Sequence, residues 1–235
     1  MNVLKAHKIS KYFYEPEKFQ VLKEVDLTVN RGEFLSLVGK SGCGKSTLMY
    51  VLSTMDSQYD GELEIAGQRL TGQDQNYLAA FRNKHIGFVF QFHYLLPEFS
   101  ALQNVMLPAL KLNNLSRQEI EAKAYDKLKM LGMEDQALKL SSKLSGGQQQ
   151  RIAIARALIN DPDIIMGDEP TGNLDSYNTH MVFDIFQELT HAFKQTIVAV
   201  THDENFAQKS DRIVEMSDGR IVSEGKKKST ELNIL

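Results

Sequence analysis

An α/β fold, built on a parallel sheet and carrying a helical insertion, is predicted by three features of this 235-residue sequence. Short apolar runs at residues 34–38, 86–90, 164–166, 196–200 and 212–216 read as strands buried on both faces, the pattern of parallel sheets. A glycine-rich segment, residues 39–45, joins the first of these runs to a helical pattern over 46–55. The stretch from about 100 to 160 shows helical periodicity and no strand pattern.

In chain order, residues 4–14 and 21–29 carry β-branched, apolar and aromatic residues and read as two N-terminal strands. Within the helical stretch, Ser116-Arg117-Gln118-Glu119 matches a capping box. Ile120, Ala124, Leu128 and Leu131 follow on one helical face, and Gly132 is placed to end that helix. A further helix is expected over 149–158. Asp218-Gly219, between apolar residues 213–216 and 221–222, marks a terminal hairpin.

The length fits one α/β unit with an insertion. Thirty acidic against 27 basic side chains give a net charge of −3, which offers no basic face for nucleic acid. One cysteine, Cys43, excludes an intrachain disulfide. The N-terminal residues lack an apolar stretch of signal-peptide length, and nowhere do about 18 apolar residues run together. The expectation is a soluble chain whose membrane work, if any, is done by other subunits.

Residues Gly39, Lys40, Ser41, Gly42, Cys43, Gly44, Lys45, Ser46 and Thr47 contain G-x-x-x-x-G-K-[ST], the Walker A loop. Its glycines let successive backbone N–H groups turn inward as an anion nest, and the following helix adds its positive end. Lys45 is expected to reach the β- and γ-phosphates of a nucleotide, and the Ser46 hydroxyl to bind Mg²⁺. Cys43 sits where only the backbone is needed, and its side chain reads as a tolerated small group. Ile164-Ile165-Met166-Gly167-Asp168-Glu169 is an apolar strand ending in two acids, the Walker B pattern. Asp168 is expected to hold Mg²⁺ through water, and Glu169 to polarise the attacking water.

Leu144-Ser145-Gly146-Gly147-Gln148 adds a second phosphate-type site. Ser145 and Gln148 form a capping box, and two glycines at a helix start expose backbone N–H groups. With these motifs in this order, the chain resembles the ABC transporter ATPases over roughly residues 4–225. The resemblance implies a P-loop NTPase (RecA-like) parallel-sheet core with an N-terminal antiparallel β subdomain and an inserted α-helical subdomain. A single domain would span 1–235, with the core at 1–90 and 161–225, the Q-loop and helical subdomain at 91–160, and a tail at 226–235. It also implies a homodimer in which Ser145, Gly146, Gly147 and Gln148 face the ATP bound by the opposite subunit. Gln91 matches the Q-loop glutamine, which senses Mg²⁺ and water and links to the membrane partner. Asn173-Leu174-Asp175 matches the D-loop, and His202 the switch histidine that contacts the γ-phosphate. ATP and Mg²⁺ are the implied ligands, with Glu169, His202 and Gln91 catalytic and Ser46, Gln91 and Asp168 around the metal. Alignment on Lys11 puts Phe13, rather than the usual Tyr, at the adenine-stacking position, with Tyr12 and Tyr14 flanking it.

Within the family, residues 91–105 (QFHYLLPEFSALQNV) closely resemble the LolD group of lipoprotein-releasing ATPase subunits. The segments 148–151 and 168–175 agree but are shared with MacB-type exporters and the FtsE cell-division ATPases, which remain alternatives. This resemblance implies two integral membrane subunits (LolC/LolE-like) as partners, the cytoplasmic face of the bacterial inner membrane as location, and no direct contact with lipoprotein. Phe92, Tyr94, Leu95, Leu96 and Phe99 then belong either to the helical core or to a groove for the membrane partner. A soluble DNA-handling ABC ATPase is disfavoured, because the interval between Walker A and the signature holds no heptads and no cysteine pair. Lys226-Lys227-Lys228 reads as a solvated terminus.

Overall fold

The structure is a computed structural model, and it describes residues 1–226; the lysine tail beyond Lys226 lies outside the described residues. Two sheets share the molecule. The smaller is formed by Phe19–Asn30 (β2), Asn2–Phe13 (β1), Asp60–Ile65 (β4) and Gln68–Arg69 (β5), side by side in that order, and is antiparallel throughout. The larger places its members in the order Arg220–Lys226 (β10), Arg212–Ser217 (β9), Phe34–Gly39 (β3), Thr196–Val200 (β8), Ile164–Asp168 (β7) and Ile86–Phe90 (β6). All neighbours in it are parallel except the hairpin β9–β10, which turns at Asp218-Gly219 as the sequence indicates.

The parallel strands are apolar on both faces because both faces are covered. Along β3, Phe34 points into one cluster with Phe183, Phe186 and Phe206, ring centroids 5.7–6.1 Å apart. Leu35 and Leu37 belong to the cluster on the other side, with Leu48, Leu52, Val198 and Val214. Each fully buried aliphatic or aromatic side chain of this kind contributes about 1.5–3 kcal/mol.

Several elements extend or correct the sequence reading. The helix α1 covers Lys45–Leu52 and stops short of residue 55, because Thr54 takes a left-handed φ of 62°. Strands β4 and β5, helix α2 (Gln75–His85) and helix α6 (Ser176–His191) carry weaker sequence patterns and are additions to the expected elements. Asp74 caps α2, accepting from the backbone of Asn76 and Tyr77, and Asp175 caps α6, accepting from Asn178. The inserted segment contains α3 (Ala101–Leu112), α4 (Arg117–Met130) and α5 (Gly146–Leu158). The capping boxes at Ser116–Glu119 and Ser145–Gln148 are both formed, so α5 begins at Gly146 rather than at 149. A short α7 (Glu204–Gln208) follows β8. Among the described residues no helix is long and apolar enough to cross a membrane.

Candidate active site

In a parallel sheet, ligands bind beyond the carboxyl ends of the strands, and here strand register sets which residues meet there. Phe90, Asp168 and Val200 lie opposite one another on β6, β7 and β8. Gln91, Glu169 and Thr201 therefore leave the sheet side by side, next to the loop that follows β3. A cavity of about 330 Å³ opens at this edge, lined by Gly39, Ser41, Gly42, Gly44, Lys45, Ser46, Thr47, Glu169 and His202, with Val21 from β2.

The Walker A loop has the shape an anion nest needs. Gly42 and Gly44 take φ of 79° and 103°, a region closed to most side chains, and Gly44 is the N-cap of α1. Lys45 is only 7% exposed, and its ammonium donates to the carbonyls of Gly39 and Lys40 at 2.8 and 3.0 Å. Cys43 is buried beneath the loop, and Lys40 is exposed on its outer side, so neither side chain enters the cavity.

Opposite the loop, the Ser46 hydroxyl donates to Asp168 at 3.1 Å. Burial pushes the Asp168 carboxyl above its ordinary range, and the Glu169 charge adds to this; Ser46, Tyr50 and Lys45 pull it back. An ionised carboxylate in that position costs stability. Asp168→Asn should therefore melt higher than the parent near neutral pH without nucleotide. The gap should narrow as the pH falls toward the ordinary value of 3.8, because the parent carboxyl is progressively protonated, first in the folded state and then in the unfolded one. Thermal scans of the two proteins across about pH 4–8 check it.

Glu169 sits in the left-handed region at φ 48°, a strain of about 1–3 kcal/mol for a non-glycine residue. Its N–H donates to the Val200 carbonyl at 3.0 Å, which pins the turn. Its carboxylate is 3.4 Å from Nδ1 of His202, a largely exposed side chain after β8. Gln91 is partly buried against Gly172, and its backbone carbonyl accepts from Asn173 Nδ2 at 3.2 Å. Q-loop and D-loop are thus joined.

The signature lies elsewhere. None of Ser145–Gln148 lines the Walker A cavity. The segment packs on the start of α6 instead, and a β-carbon on Gly147 would overlap the Asn178 side chain. Ser145 and Gly146 are exposed.

Phe13, at the end of β1, is 46% exposed with the Lys11 ammonium 5.4 Å from its ring centroid, while Lys18 covers Tyr12 and Tyr14 at 4.7 and 5.8 Å. It lies outside the lining of the cavity. If Phe13 stacks on adenine, Phe13→Ala should weaken nucleotide binding by about 5- to 150-fold, the equivalent of about 1–3 kcal/mol for one stacked base. Tyr12→Ala and Tyr14→Ala should leave it unchanged. Fluorescent-nucleotide titration of the three variants decides between them.

Two residues of this region stand outside the motifs read from the sequence. Tyr50, one helical turn after Ser46 on α1, has its hydroxyl pKa pushed up by burial and by the nearby Asp168 carboxylate. Arg156 of α5 donates to the carbonyls of His93 and Tyr94, both at 2.7 Å. The i, i+4 spacing of Ser46 and Tyr50 carries the first signal; Arg156 offers none.

The profile of the ABC transporter family matches residues 22–172. The chain belongs to the ABC transporter ATPases. This ABC ATPase is 47% identical to the lipoprotein-releasing system ATP-binding protein LolD of Bacteroides fragilis, over 86% of this chain and 94% of the relative. It is 46% identical to LolD of Porphyromonas gingivalis, over 94% of this chain and the whole of the relative. Among solved structures, it is similar to a dimeric ATP-binding cassette in a post-hydrolysis state bound to ADP and Pi. The TM-score there is 0.87 with 38% identity, covering 95% of this chain and 98% of that one. It also resembles CbiO1 of Clostridium perfringens, part of an ABC transporter complex, with a TM-score of 0.86 and 28% identity over 97% of this chain and 89% of that one. The fold expected from the sequence, P-loop core and helical insertion included, is the fold of these cassettes, and this ABC ATPase binds and hydrolyses ATP.

Proposed function

We propose that this ATPase drives release of lipoproteins from the bacterial inner membrane. It works as a homodimer on the cytoplasmic face, beneath two integral membrane subunits of the LolC/LolE kind. The observation that carries this reading is identity of 43–47% to proteins named LolD from Bacteroides, Porphyromonas and Aquifex, each matched along most of both chains. The ATPase does not touch the lipoprotein in this reading; it supplies the motion.

The site chemistry follows from the residues present. Walker A backbone N–H groups and Lys45 hold the phosphates. Glu169 accepts the proton of the attacking water, oriented by His202, and Gln91 reports the state of the site to the membrane partner. The oxygen donors Ser46 and Asp168, 3.1 Å apart, fit Mg²⁺, a hard cation that takes few protein ligands and keeps water and phosphate oxygens. When bound, Mg²⁺ would neutralise phosphate charge. Ser145–Gln148, remote from the cavity of their own chain and exposed at Ser145 and Gly146, complete the site of the opposite subunit, so closure needs two chains.

Affinity purification of the tagged chain from solubilised bacterial membranes tests the assignment. Two integral subunits with large periplasmic domains should co-purify, and reconstituted with them the ATPase should release an inner-membrane lipoprotein. Recovery of a substrate-binding protein with an importer channel would overturn it.

A further inference from the structure

The three glutamines that follow Gly147 have different partners. Gln148 closes the capping box, its side chain accepting from the Ser145 N–H at 3.0 Å. Gln149 donates to the carbonyls of Ser141 and Leu144 at 3.1 and 3.0 Å, which holds the chain just ahead of the signature. Gln150 turns inward. It is fully buried, and its Nε2 donates to the Pro170 carbonyl at 2.5 Å, on the turn that follows Asp168 and Glu169. Its Oε1 has no partner among the described residues. A buried amide paired at one end costs stability that an apolar side chain of similar size would not. Packing therefore does not account for a glutamine at position 150, whereas its N–H donor does.

The turn it reaches is strained. Glu169 keeps its left-handed φ of 48° only where its surroundings over-determine it. The Glu169 N–H donates to the Val200 carbonyl of β8, and its own carbonyl accepts from the Gly172 N–H, both at 3.0 Å. Those two bonds hold Glu169 itself. The next peptide is held differently, since Pro170 has no N–H and its ring lies against Gly167, where a β-carbon would come within 3.2 Å. The Pro170 carbonyl is the group left to fix, and Gln150 fixes it. Without that donor a buried acceptor is unpaired, so the turn shifts toward another partner. The Glu169 carboxylate, 3.4 Å from His202, moves with it.

We propose that Gln150 is a positioning residue for Glu169, holding the Pro170 carbonyl so that the carboxylate stays where an attacking water meets it. Gln150 is buried away from the cavity and acts through the backbone of the turn. It belongs to α5, so the base is set in part by an element outside the parallel sheet. The inference rests on the reading of Glu169 as the base, and the Glu169→Gln protein measured alongside tells a failure of one from a failure of the other.

Gln150→Met keeps the length of the side chain and removes the donor. Its turnover should fall about 10- to 100-fold with the KM for ATP moved by less than about threefold, the mark of a displaced catalytic group rather than of lost binding. A general disturbance of α5 would also slow turnover, so the decisive measurement is made in the Glu169→Gln background. With the base already gone, adding Gln150→Met should lower the residual single-turnover rate by less than about threefold, because the two residues act as a unit. The double variant should still accumulate as a dimer in ATP, since the signature is intact. Gln150→Leu repeats the series should the methionine variant melt early. Turnover of both Gln150 variants within about twofold of the parent, or a further loss of about tenfold or more on top of Glu169→Gln, would overturn the proposal. So would a double variant that stays monomeric in ATP where Glu169→Gln alone is dimeric. Full turnover in Glu169→Gln alone would strike the base reading itself.

Discussion

Glu169→Gln should lower ATP turnover by about 10²–10⁴-fold, the usual contribution of a positioned general base, while ATP affinity stays close to that of the parent. The amide keeps the shape of the carboxylate and loses its basicity. The backbone there is unusual, at φ 48° and tied to Val200, so an isosteric change is the one that leaves the turn intact. The same variant should accumulate as a dimer in ATP, because the step that favours reopening is blocked. Steady-state phosphate release, nucleotide titration and size-exclusion chromatography with and without ATP read the three effects. His202 is 3.4 Å from the Glu169 carboxylate. His202→Ala should therefore also slow turnover, and combining the two substitutions should cost less than the product of the single losses, because they act as a unit. A Glu169→Gln protein that stays monomeric and fully active would remove Glu169 from the base role.

What the sequence discloses of this site follows from how local the physics is. The Walker A loop is legible because a phosphate nest needs glycines, a lysine and a hydroxyl at fixed spacing, and Gly42, Gly44, Lys45 and Ser46 meet it within a few residues. The strands ending in Asp168 and Val200 are legible because burial on both faces demands an unbroken apolar run. The smaller sheet is legible only in part: β5 is two residues long, and β4 alternates Leu63 and Ile65 with glutamates, a pattern easily taken for loop. Helix α6 hides behind a residue with two roles, since Asp175 both belongs to the D-loop pattern and caps the helix. The segment after Gln91 reads equally as core or as groove, and the structure divides it: Leu95 packs against the helical core, while Phe92 and Tyr94 are exposed. The contact of Arg156 with Tyr94 joins residues far apart in the chain, and no local pattern announces it.

The half-site reading makes a second large prediction. Lys45→Ala should abolish ATP turnover by removing the buried ammonium from the phosphate nest. Ser145→Arg should do the same by placing a long cation where the signature needs an exposed helix start. Each change leaves the other motif untouched, since none of Ser145–Gln148 lines the Walker A cavity of its own chain. Mixed, the two inactive proteins should regain activity. In a mixed dimer one composite site joins both lesions and is dead. The other joins the intact Walker A loop of the Ser145→Arg chain to the intact signature of the Lys45→Ala chain. Random pairing by closed two-fold association makes about half the dimers mixed with one working site each, so roughly a quarter of parental turnover should return. A chain that formed its site alone would give no recovery at any ratio, and so would a dimer in which each signature served its own Walker A loop. Phosphate release measured across mixing ratios, with a maximum at equal amounts, separates these cases. The exposed Ser145 and Gly146 locate the surface through which recovery must come, and Gly147 shows why it resists substitution, because a β-carbon there would strike Asn178 and push α6 away from the signature. Gly147→Ala should therefore fail in the role of signature donor while still serving as Walker A donor to an intact partner.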